Sequence, residues 1–401
     1  MLSARLPVLI GLLAVLLALP EPGTIPGPLV RTNLHTPNTT DLDTPLYTRR
    51  NVGFPCSGVR CEAWLYTPKR SDGAKPPLVL LAHGMGGQRD TGLHKYSSYF
   101  ADAGLAVFTF DYRGFGGSEG EPRHWVSPSR HLADWQSAFD YVTGESSGDG
   151  DPIQEQLLEA VDSSRIILWG TSFAGGHALV MASQLGHRIK GVVAQVPHLN
   201  ATAATLASIQ ARGPLKSVRM LLLGLKDLAR HVLGMPPVYV PLAGPPGSLA
   251  LMQLEEGDMT HYAATRPAQP QGGWRNMACA RLSAELLFKK YSPIKFIPDI
   301  EVPVLFVASS EDKLCPFEQV QAGLSRARRG YLIARDVSHF QLTGPAQLPS
   351  LMTEQVTWVL ERLAEEGDAA AAGAHEAAER AAAAAAAAAE AEVGAGEATV
   401  E

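Results

Sequence analysis

One serine stands in a setting that is typical of a nucleophile. The stretch from Arg165 to Gly176 reads RIILWGTSFAGG, an apolar run followed by a glycine-rich turn around Ser172, and an apolar segment follows. This order predicts a buried strand, a tight turn and a helix, which is the nucleophile-elbow pattern. The turn needs small residues two positions before and after the serine, where Gly170 and Ala174 stand, although glycine is usual at the second place. Taken alone, the pattern equally fits a glycine-rich loop with an idle serine.

A serine nucleophile needs a base, and the base needs an acid that orients it. In folds with this elbow the partners follow in the order serine, acid, histidine. His339 comes directly after the last predicted strand, and Asp312 follows a strand predicted at 302–308. Because the carboxyl ends of parallel strands meet at one edge of the sheet, we expect these side chains to converge on the elbow serine. Glu311 is the alternative acid, whereas Asp336 lies too close to His339 in sequence to face it.

The oxyanion that forms during acyl transfer needs two backbone N–H donors. One is predicted at Phe173, directly after the nucleophile. The other is expected in the loop at 83–87, HGMGG, which follows an apolar strand at 78–82 and has little side-chain bulk. We assign the second donor to Met85. His83 is expected to be structural and to bond to nearby loop backbone.

The elements that position these residues alternate between strands and helices, which predicts βαβ units and one parallel sheet. Core strands are predicted at 61–66, 78–82, 105–110, 166–169, 191–196, 302–308 and 331–334. The alternation pauses from about 198 to 273, where the chain is rich in Pro, Gly, Leu and Met and carries one long candidate helix at 215–233. We interpret this segment as an inserted cap. A helix at 274–291 is expected to resume the alternation.

The two ends of the chain are predicted to lie outside the folded domain. Residues 1–20 carry one early arginine and about fourteen apolar residues, which is typical of a signal peptide and short of the ~20 that span a bilayer. An uncleaved anchor is the alternative. Residues 21–50 are interpreted as a linker and residues 367–401 as a low-complexity tail rich in Ala and Glu. We therefore expect a secreted or secretory-pathway protein, with membrane anchoring as the second choice.

Secretion would place the four cysteines in an oxidising compartment. Cys56 and Cys61 flank a hairpin-like turn, so a disulfide and a pair of buried free thiols both stay open. Asn38 and Asn200 each begin a glycosylation acceptor pattern. The formal net charge of −6 provides no basic surface for nucleic acid.

Taken together, these motifs resemble the α/β-hydrolase superfamily. The resemblance rests on the His83–Gly84 loop, the stretch DYRGFGGS at 111–118, the elbow at 170–175, and the Asp312 and His339 loops. It is nearest to the esterase and Xaa-Pro dipeptidyl-peptidase-like branch. It implies a mostly parallel eight-stranded sheet flanked by helices over residues 51–366, a serine nucleophile, no cofactor, and hydrolysis of an ester, thioester or amide. No metal site is assigned.

The sequence therefore predicts a serine hydrolase that cleaves a carboxylic ester or related acyl bond of a small molecule through an acyl-enzyme on Ser172. Membrane contact is expected only if the first segment stays uncleaved. One alternative is an aminopeptidase or dipeptidyl-peptidase-like amide hydrolase, in which Glu255 or Glu256 would hold the substrate amine. A second is a non-catalytic binding protein on the same fold, because a fold does not determine a function.

Overall fold

A computed structural model of the protein describes residues 5–22, 41–146, 151–266 and 274–365. Its strands are β1 (Leu42–Asp43), β2 (Tyr47–Cys56), β3 (Val59–Pro68), β4 (Pro77–Ala82), β5 (Ala106–Phe110), β6 (Asp162–Thr171), β7 (Gly191–Gln195), β8 (Tyr239–Val240), β9 (Ala243–Gly244), β10 (Met252–Gln253), β11 (Ala278–Cys279), β12 (Val304–Ser309) and β13 (Gly330–Arg335). Its α-helices are α1 (Arg5–Ala18), α2 (Leu93–Asp102), α3 (Pro128–Thr143), α4 (Pro152–Ala160), α5 (Phe173–Leu185), α6 (Ala201–Arg212), α7 (Pro214–Val232), α8 (Glu256–Ala264), α9 (Arg281–Lys289), α10 (Phe317–Leu324) and α11 (Leu348–Ala364).

The central sheet has the strand order β1-β2-β3-β5-β4-β6-β7-β12-β13. Pairings from β1 to β5 are antiparallel, and all pairings from β5 to β13 are parallel. Eight strands have five residues or more, and β1 adds a two-residue ninth. The predicted α/β-hydrolase fold with a mostly parallel sheet is therefore confirmed. Because Ala82 pairs with Gly170, the loop after β4 emerges beside the elbow after β6.

Both faces of the parallel strands are covered, which explains their uninterrupted apolar sequences. On β4, Leu78 and Leu80 pack into the layer that contains α3 and α5. Val79 and Leu81 point the other way, into the layer that contains α2 and α11. All four side chains are fully buried. Burial of each such side chain contributes about 1.5–3 kcal/mol relative to exposure, so the sheet is a rigid platform for the loops at its edge.

The segment before residue 51 differs from its prediction. Strand β2 begins at Tyr47 and pairs with β3 along its whole length, so the linker prediction for 21–50 is wrong for the residues that form β1 and the start of β2. The sequence pattern of β2 is weak because charged residues interrupt it. One of them, Arg49, packs on the core, since its guanidinium lies 4.6 Å from the ring centroid of Trp64. Cys56 and Cys61 are free buried thiols in this hairpin, which answers the question left open above.

The cap inserted after β7 is larger than predicted. It comprises α6 to α9 with the two small strand pairs β8–β11 and β9–β10. The helix predicted at 274–291 is α9, which is shorter and packs on α7 instead of returning to the sheet. The reason is a buried ion pair in which the Arg281 guanidinium donates to both oxygens of Asp227 on α7, at 2.8 and 2.9 Å. Either charge would be costly to bury without the other.

Helix α1 lies against α7 of the cap. At its end the Lys226 ammonium donates to the Leu19 carbonyl at 2.7 Å and pairs with Glu21 at 2.9 Å. Among the helices of the described ranges, none is both long enough and apolar enough to cross a bilayer. The signal-peptide or anchor assignment and the secretory location stay predictions. The tail at 367–401, Asn38 and most of the linker lie outside the described residues.

Candidate active site

Ser172 occupies the sharp turn between β6 and α5. Its backbone has φ 57° and ψ −119°, a conformation that residues other than glycine rarely adopt. The turn presents the hydroxyl at the carboxyl edge of the sheet. The close approach of the helix explains the small residues around it. A Cβ on Gly170 would lie 2.2 Å from the Ala174 carbonyl oxygen, so only glycine fits there. Ala174 is itself fully buried, and its methyl group is accommodated.

The structure brings together the three predicted catalytic side chains. His339 Nε2 lies 3.2 Å from Ser172 Oγ, and His339 Nδ1 lies 2.6 Å from Asp312 Oδ2. The other carboxylate oxygen accepts the Leu314 and Cys315 amides at 2.8 and 2.7 Å, which holds Asp312 in place.

The alternative acids are not part of this cluster. Glu311 is exposed. Asp336 accepts an exposed hydrogen bond from the Ser310 hydroxyl at 2.7 Å, and the acidic partner of His339 is Asp312. Asp312 is therefore the carboxylate that orients His339.

The environment of His339 favours an imidazole that can accept a proton. Burial by itself would lower its pKa, but the adjacent Asp312 carboxylate, with a smaller contribution from Asp258, raises the pKa above the ordinary histidine value. The Asp312 contact also retains the Nδ1 proton, so Nε2 faces the serine as the acceptor.

The two predicted oxyanion donors flank Ser172. Phe173 is the first residue of α5, where the amide has no partner within the helix. In the described part of the chain, neither its N–H nor that of Met85 donates a backbone hydrogen bond. The loop of Met85 passes close to the nucleophile, since a Cβ on Gly84 would lie 3.0 Å from Ser172 Cβ. Both amides are thus free to bind a developing negative charge.

Two further residues of the site were missed in the sequence. Asp258 on α8 accepts from the Ser338 hydroxyl at 2.6 Å and from the Phe340 amide at 2.9 Å, so the cap holds the loop on both sides of His339. Cys315 Sγ lies within 4.8 Å of ligand atoms of Asp312 and His339, and Cys315 lines the cap cavity together with Ser172. No local motif marks either position. The hydrogen bond between Asp258 and Ser338 joins residues that are 80 positions apart in the sequence.

Cys315 completes the one group of potential metal ligands that stands out in the described ranges. Asp312, Cys315 and His339 each place a ligand atom within 4.8 Å of the others. Burial, and then the Asp312 charge, raise the pKa of the Cys315 thiol well above its usual value. Both ring nitrogens of His339 already face Asp312 and Ser172, so we assign no metal to this set.

The imidazoles behind the elbow serve the structure. His83 Nδ1 lies 2.9 Å from the Gly84 carbonyl oxygen, as predicted for a loop-bonding residue. His177 Nδ1 lies 2.6 Å from the Tyr291 hydroxyl, and His198 stacks on the same tyrosine ring. Burial lowers the pKa of His83 and of His198 to about 4, so both are neutral at pH 7.

Two cavities meet at Ser172. The larger, about 530 Å³, lies under the cap, and its walls include Phe173, Met220, Leu282 and Leu286. The smaller, about 100 Å³, lies on the side of His339 and is lined by both polar and apolar groups. We call them the cap cavity and the small cavity. The arrangement places the serine hydroxyl between two compartments of different size and chemistry.

Comparisons with known proteins agree with this architecture. A family model described as alpha/beta hydrolase fold matches residues 77–342. The chain is 32% identical over 267 residues to the quorum-quenching protein AidA of Acinetobacter baumannii, covering 66% of this chain and 79% of that protein. It is 28% identical over 200 residues to polyketide transferase af380 of Aspergillus fumigatus, covering 50% of this chain and 59% of that protein.

Among solved structures, that of the alpha/beta hydrolase GrgF from Penicillium sp. sh18 is similar in fold. Its TM-score is 0.61 at 20% sequence identity, with coverage of 79% of this chain and 99% of that chain. None of these relatives is named a dipeptidyl peptidase, so that branch of the resemblance is not confirmed. The match of the family model over most of the folded domain, together with the sheet order and the elbow at its edge, shows that this chain belongs to the α/β-hydrolase family.

Proposed function

We propose that the chain is a serine hydrolase that cleaves a carboxylic ester, or a related acyl bond, through an acyl-enzyme formed on Ser172. The observation that carries the proposal is the continuous hydrogen bonding from the serine hydroxyl through His339 to Asp312. A serine hydroxyl is a weak nucleophile at neutral pH, and an adjacent oriented imidazole is the group that activates it.

The reaction follows from these positions. His339 Nε2 takes the hydroxyl proton as Ser172 Oγ attacks the carbonyl carbon. The Met85 and Phe173 amides donate to the oxyanion of the tetrahedral intermediate. His339 then gives the proton to the leaving group, the acyl-enzyme forms, and a water molecule activated by the same imidazole releases the acid. Asp312 keeps the correct tautomer and stabilises the imidazolium in each step.

The cap cavity supports an apolar acyl group as the substrate's main recognition element. Its volume of about 530 Å³ is within the range of small-molecule sites, and its lining is mostly apolar. Because a serine acyl-enzyme can pass its acyl group to water or to another nucleophile, the same chemistry is compatible with the hydrolase and transferase names of the relatives. A small-molecule ester or thioester is therefore the proposed substrate class.

The amide-hydrolase alternative has less support. It needs an unneutralised acid near the site that can hold a substrate amine, and Glu255 is the candidate that lines the cap cavity. The Lys313 ammonium lies 3.3 Å from its carboxylate, which already compensates its charge. Glu256 is exposed and does not line either cavity.

The test combines labelling and turnover. We expect Ser172→Ala to lose hydrolysis of p-nitrophenyl butyrate by about 10⁴-fold or more, and to lose labelling by a fluorophosphonate probe. Ser310→Ala, whose hydroxyl bonds to Asp336 outside the triad, is the matched control and should keep both. Normal labelling of Ser172→Ala, or no labelling of the wild type, would reject the nucleophile and favour the non-catalytic binding protein.

A further inference from the structure

The cap cavity is lined by two cations, Arg212 and Lys313, and by one carboxylate, Glu255, whereas no carboxylate of the described residues lines the small cavity. Among the described residues that line it are two cations, Arg266 and Lys95, and no Asp or Glu. The chain as a whole carries a formal net charge of −6, so a cavity with two cations and no carboxylate among its described lining residues differs from the average of the molecule. A cavity of this kind favours an anionic group.

Arg266 is held rigidly at this place. Its guanidinium carbon lies 3.4 Å from the ring centroid of Tyr262 and 5.1 Å from that of Trp274. Nη1 donates to the Tyr262 carbonyl at 2.8 Å and to the Thr265 hydroxyl at 2.6 Å. Aromatic stacking with two local hydrogen bonds fixes the plane of the guanidinium, so little side-chain entropy remains to be lost when a ligand binds.

One edge of the same guanidinium has no acceptor among the residues that the structure describes. Within the described ranges, Nε of Arg266 is buried without a hydrogen-bond partner, and no ion pair joins this arginine to a carboxylate. The Nε–Nη2 edge of an arginine presents two parallel N–H groups, which match the two oxygens of a carboxylate. A buried donor without a partner is unfavourable, and a bound carboxylate would provide the missing acceptor.

The position of the small cavity indicates which part of the substrate enters it. His339 lines this cavity and does not line the cap cavity. The guanidinium carbon of Arg266 lies 5.9 Å from the ring centroid of Phe340, and that ring lies 4.8 Å from the His339 ring. Because His339 delivers its proton to the leaving group, the leaving group must lie on this side of Ser172.

We propose that the small cavity binds a carboxylate carried by the leaving group, with Arg266 as its main partner, so that the substrate is an apolar acyl ester of a short hydroxy acid or thiol acid. This inference rests on the proposed function. Arg266 is a specificity residue here, since it contacts the substrate away from the reacting atoms. The volume of about 100 Å³ limits the leaving group to a chain of a few carbons.

The test uses an isosteric pair of esters, 3-(hexanoyloxy)propanoate and its neutral amide 3-(hexanoyloxy)propanamide, with hexanoate release as the readout. We expect the wild type to prefer the propanoate by about tenfold or more in kcat/KM. Arg266→Gln should remove this preference through a higher KM for the propanoate, with kcat changed less than twofold, and Arg266→Lys should retain part of it. Arg219→Gln, an exposed arginine on α7 that lines neither cavity, should leave the preference unchanged.

Hydrolysis of both esters without a preference in the wild type, or a preference that survives Arg266→Gln, would overturn the inference while leaving the proposed function intact. If neither ester is cleaved, this result counts against the proposed function, and a binding measurement tests the carboxylate site of the small cavity separately. Calorimetry on Ser172→Ala should then detect 3-hydroxypropanoate and not 3-hydroxypropanamide, and Arg266→Gln in the same background should abolish the signal. Absence of binding, or tighter binding of inorganic phosphate than of the carboxylate, would overturn the carboxylate assignment.

Discussion

In the body, which comprises the central sheet and the helices packed on it, Ser172, Asp312 and His339 each follow a parallel strand. The two predicted oxyanion donors lie at the same edge, one in the loop after β4 and one at the start of α5. The cap, from α6 to α9, contributes cavity walls, Asp258 and Arg266. The two regions are also held differently. The sheet is covered by large apolar layers on both faces, whereas the cap combines a smaller apolar cluster around Met220 with the buried ion pair of Asp227 and Arg281.

Because the two regions differ in this way, we expect them to respond differently to mutation. Chemistry requires reacting groups at fixed distances, and a strand edge between two packed layers provides them. Selection among substrates requires walls that can change without moving those groups, and an inserted segment provides such walls. Changes in the body should therefore act on kcat, and most changes in the cap on KM or on substrate preference.

The largest effect is expected in the body. Asp312→Asn keeps the size of the side chain but removes the charge that holds the Nδ1 proton of His339, and kcat should fall by about 10³–10⁴-fold with KM nearly unchanged. Asp336→Asn, three residues from His339 and bonded to Ser310, is the matched control. Steady-state kinetics on a p-nitrophenyl ester give the comparison. Equal losses in both variants would show that the loop's charge, not the triad contact, matters.

The buried imidazoles of the body give the next effect, on stability. Burial lowers the pKa of His83 and His198 to about 4 in the folded protein, whereas a histidine in the unfolded chain has a pKa of about 6.5. Between these two pH values, the unfolded chain therefore binds protons that the folded chain does not bind. The free energy of unfolding should therefore be largest above about pH 6.5 and should fall toward pH 4, by an amount on the order of a few kcal/mol.

Urea unfolding at pH 7 and pH 5 measures this decline. His198→Gln should make the free energy of unfolding less dependent on pH than in the wild type. His187→Gln, which changes an exposed histidine, should not. A pH dependence that is the same in all three proteins would assign the acid sensitivity to other groups.

In the cap, Asp258 is expected to affect the rate of the chemical step. Asp258→Ala removes the acceptor of the Ser338 hydroxyl and the Phe340 amide and should lower kcat about tenfold. Since Asp258 also helps to raise the pKa of His339, the acid limb of the kcat/KM profile should move to lower pH. Glu256→Ala, an exposed carboxylate on the same helix, is the control. A tenfold loss without movement of the acid limb would indicate a steric role only.

The smallest effect is expected at the wall of the cap cavity. Leu286→Ala enlarges the cavity and should raise the ratio of kcat/KM for decanoyl over butyryl esters by about threefold to tenfold. The neighbouring Leu287 is 39% exposed and does not line the cavity, so Leu287→Ala should leave the ratio unchanged. A change in kcat for both esters alike would contradict the division between body and cap.

Much of the body could be predicted because its signals are local. Three such signals are visible in short windows of sequence: an apolar run before a turn, a glycine where a Cβ would contact backbone, and an acid and a histidine that each follow a strand. The first strands were harder. Their charged residues conceal the alternation, and Arg49 is recognisable as part of β2 only when Trp64 lies beneath it.

The reacting groups, and the order in which the sheet presents them, follow from local sequence, since backbone sterics and two-sided burial act at short range. The surroundings of these groups depend on how distant segments pack. Asp258 reaches the His339 loop, Cys315 stays a protonated thiol beside the nucleophile, α9 belongs to the cap, and Arg266 lines a cavity with His339. Each of these depends on contacts between segments distant in the chain, and no periodicity or motif encodes such contacts.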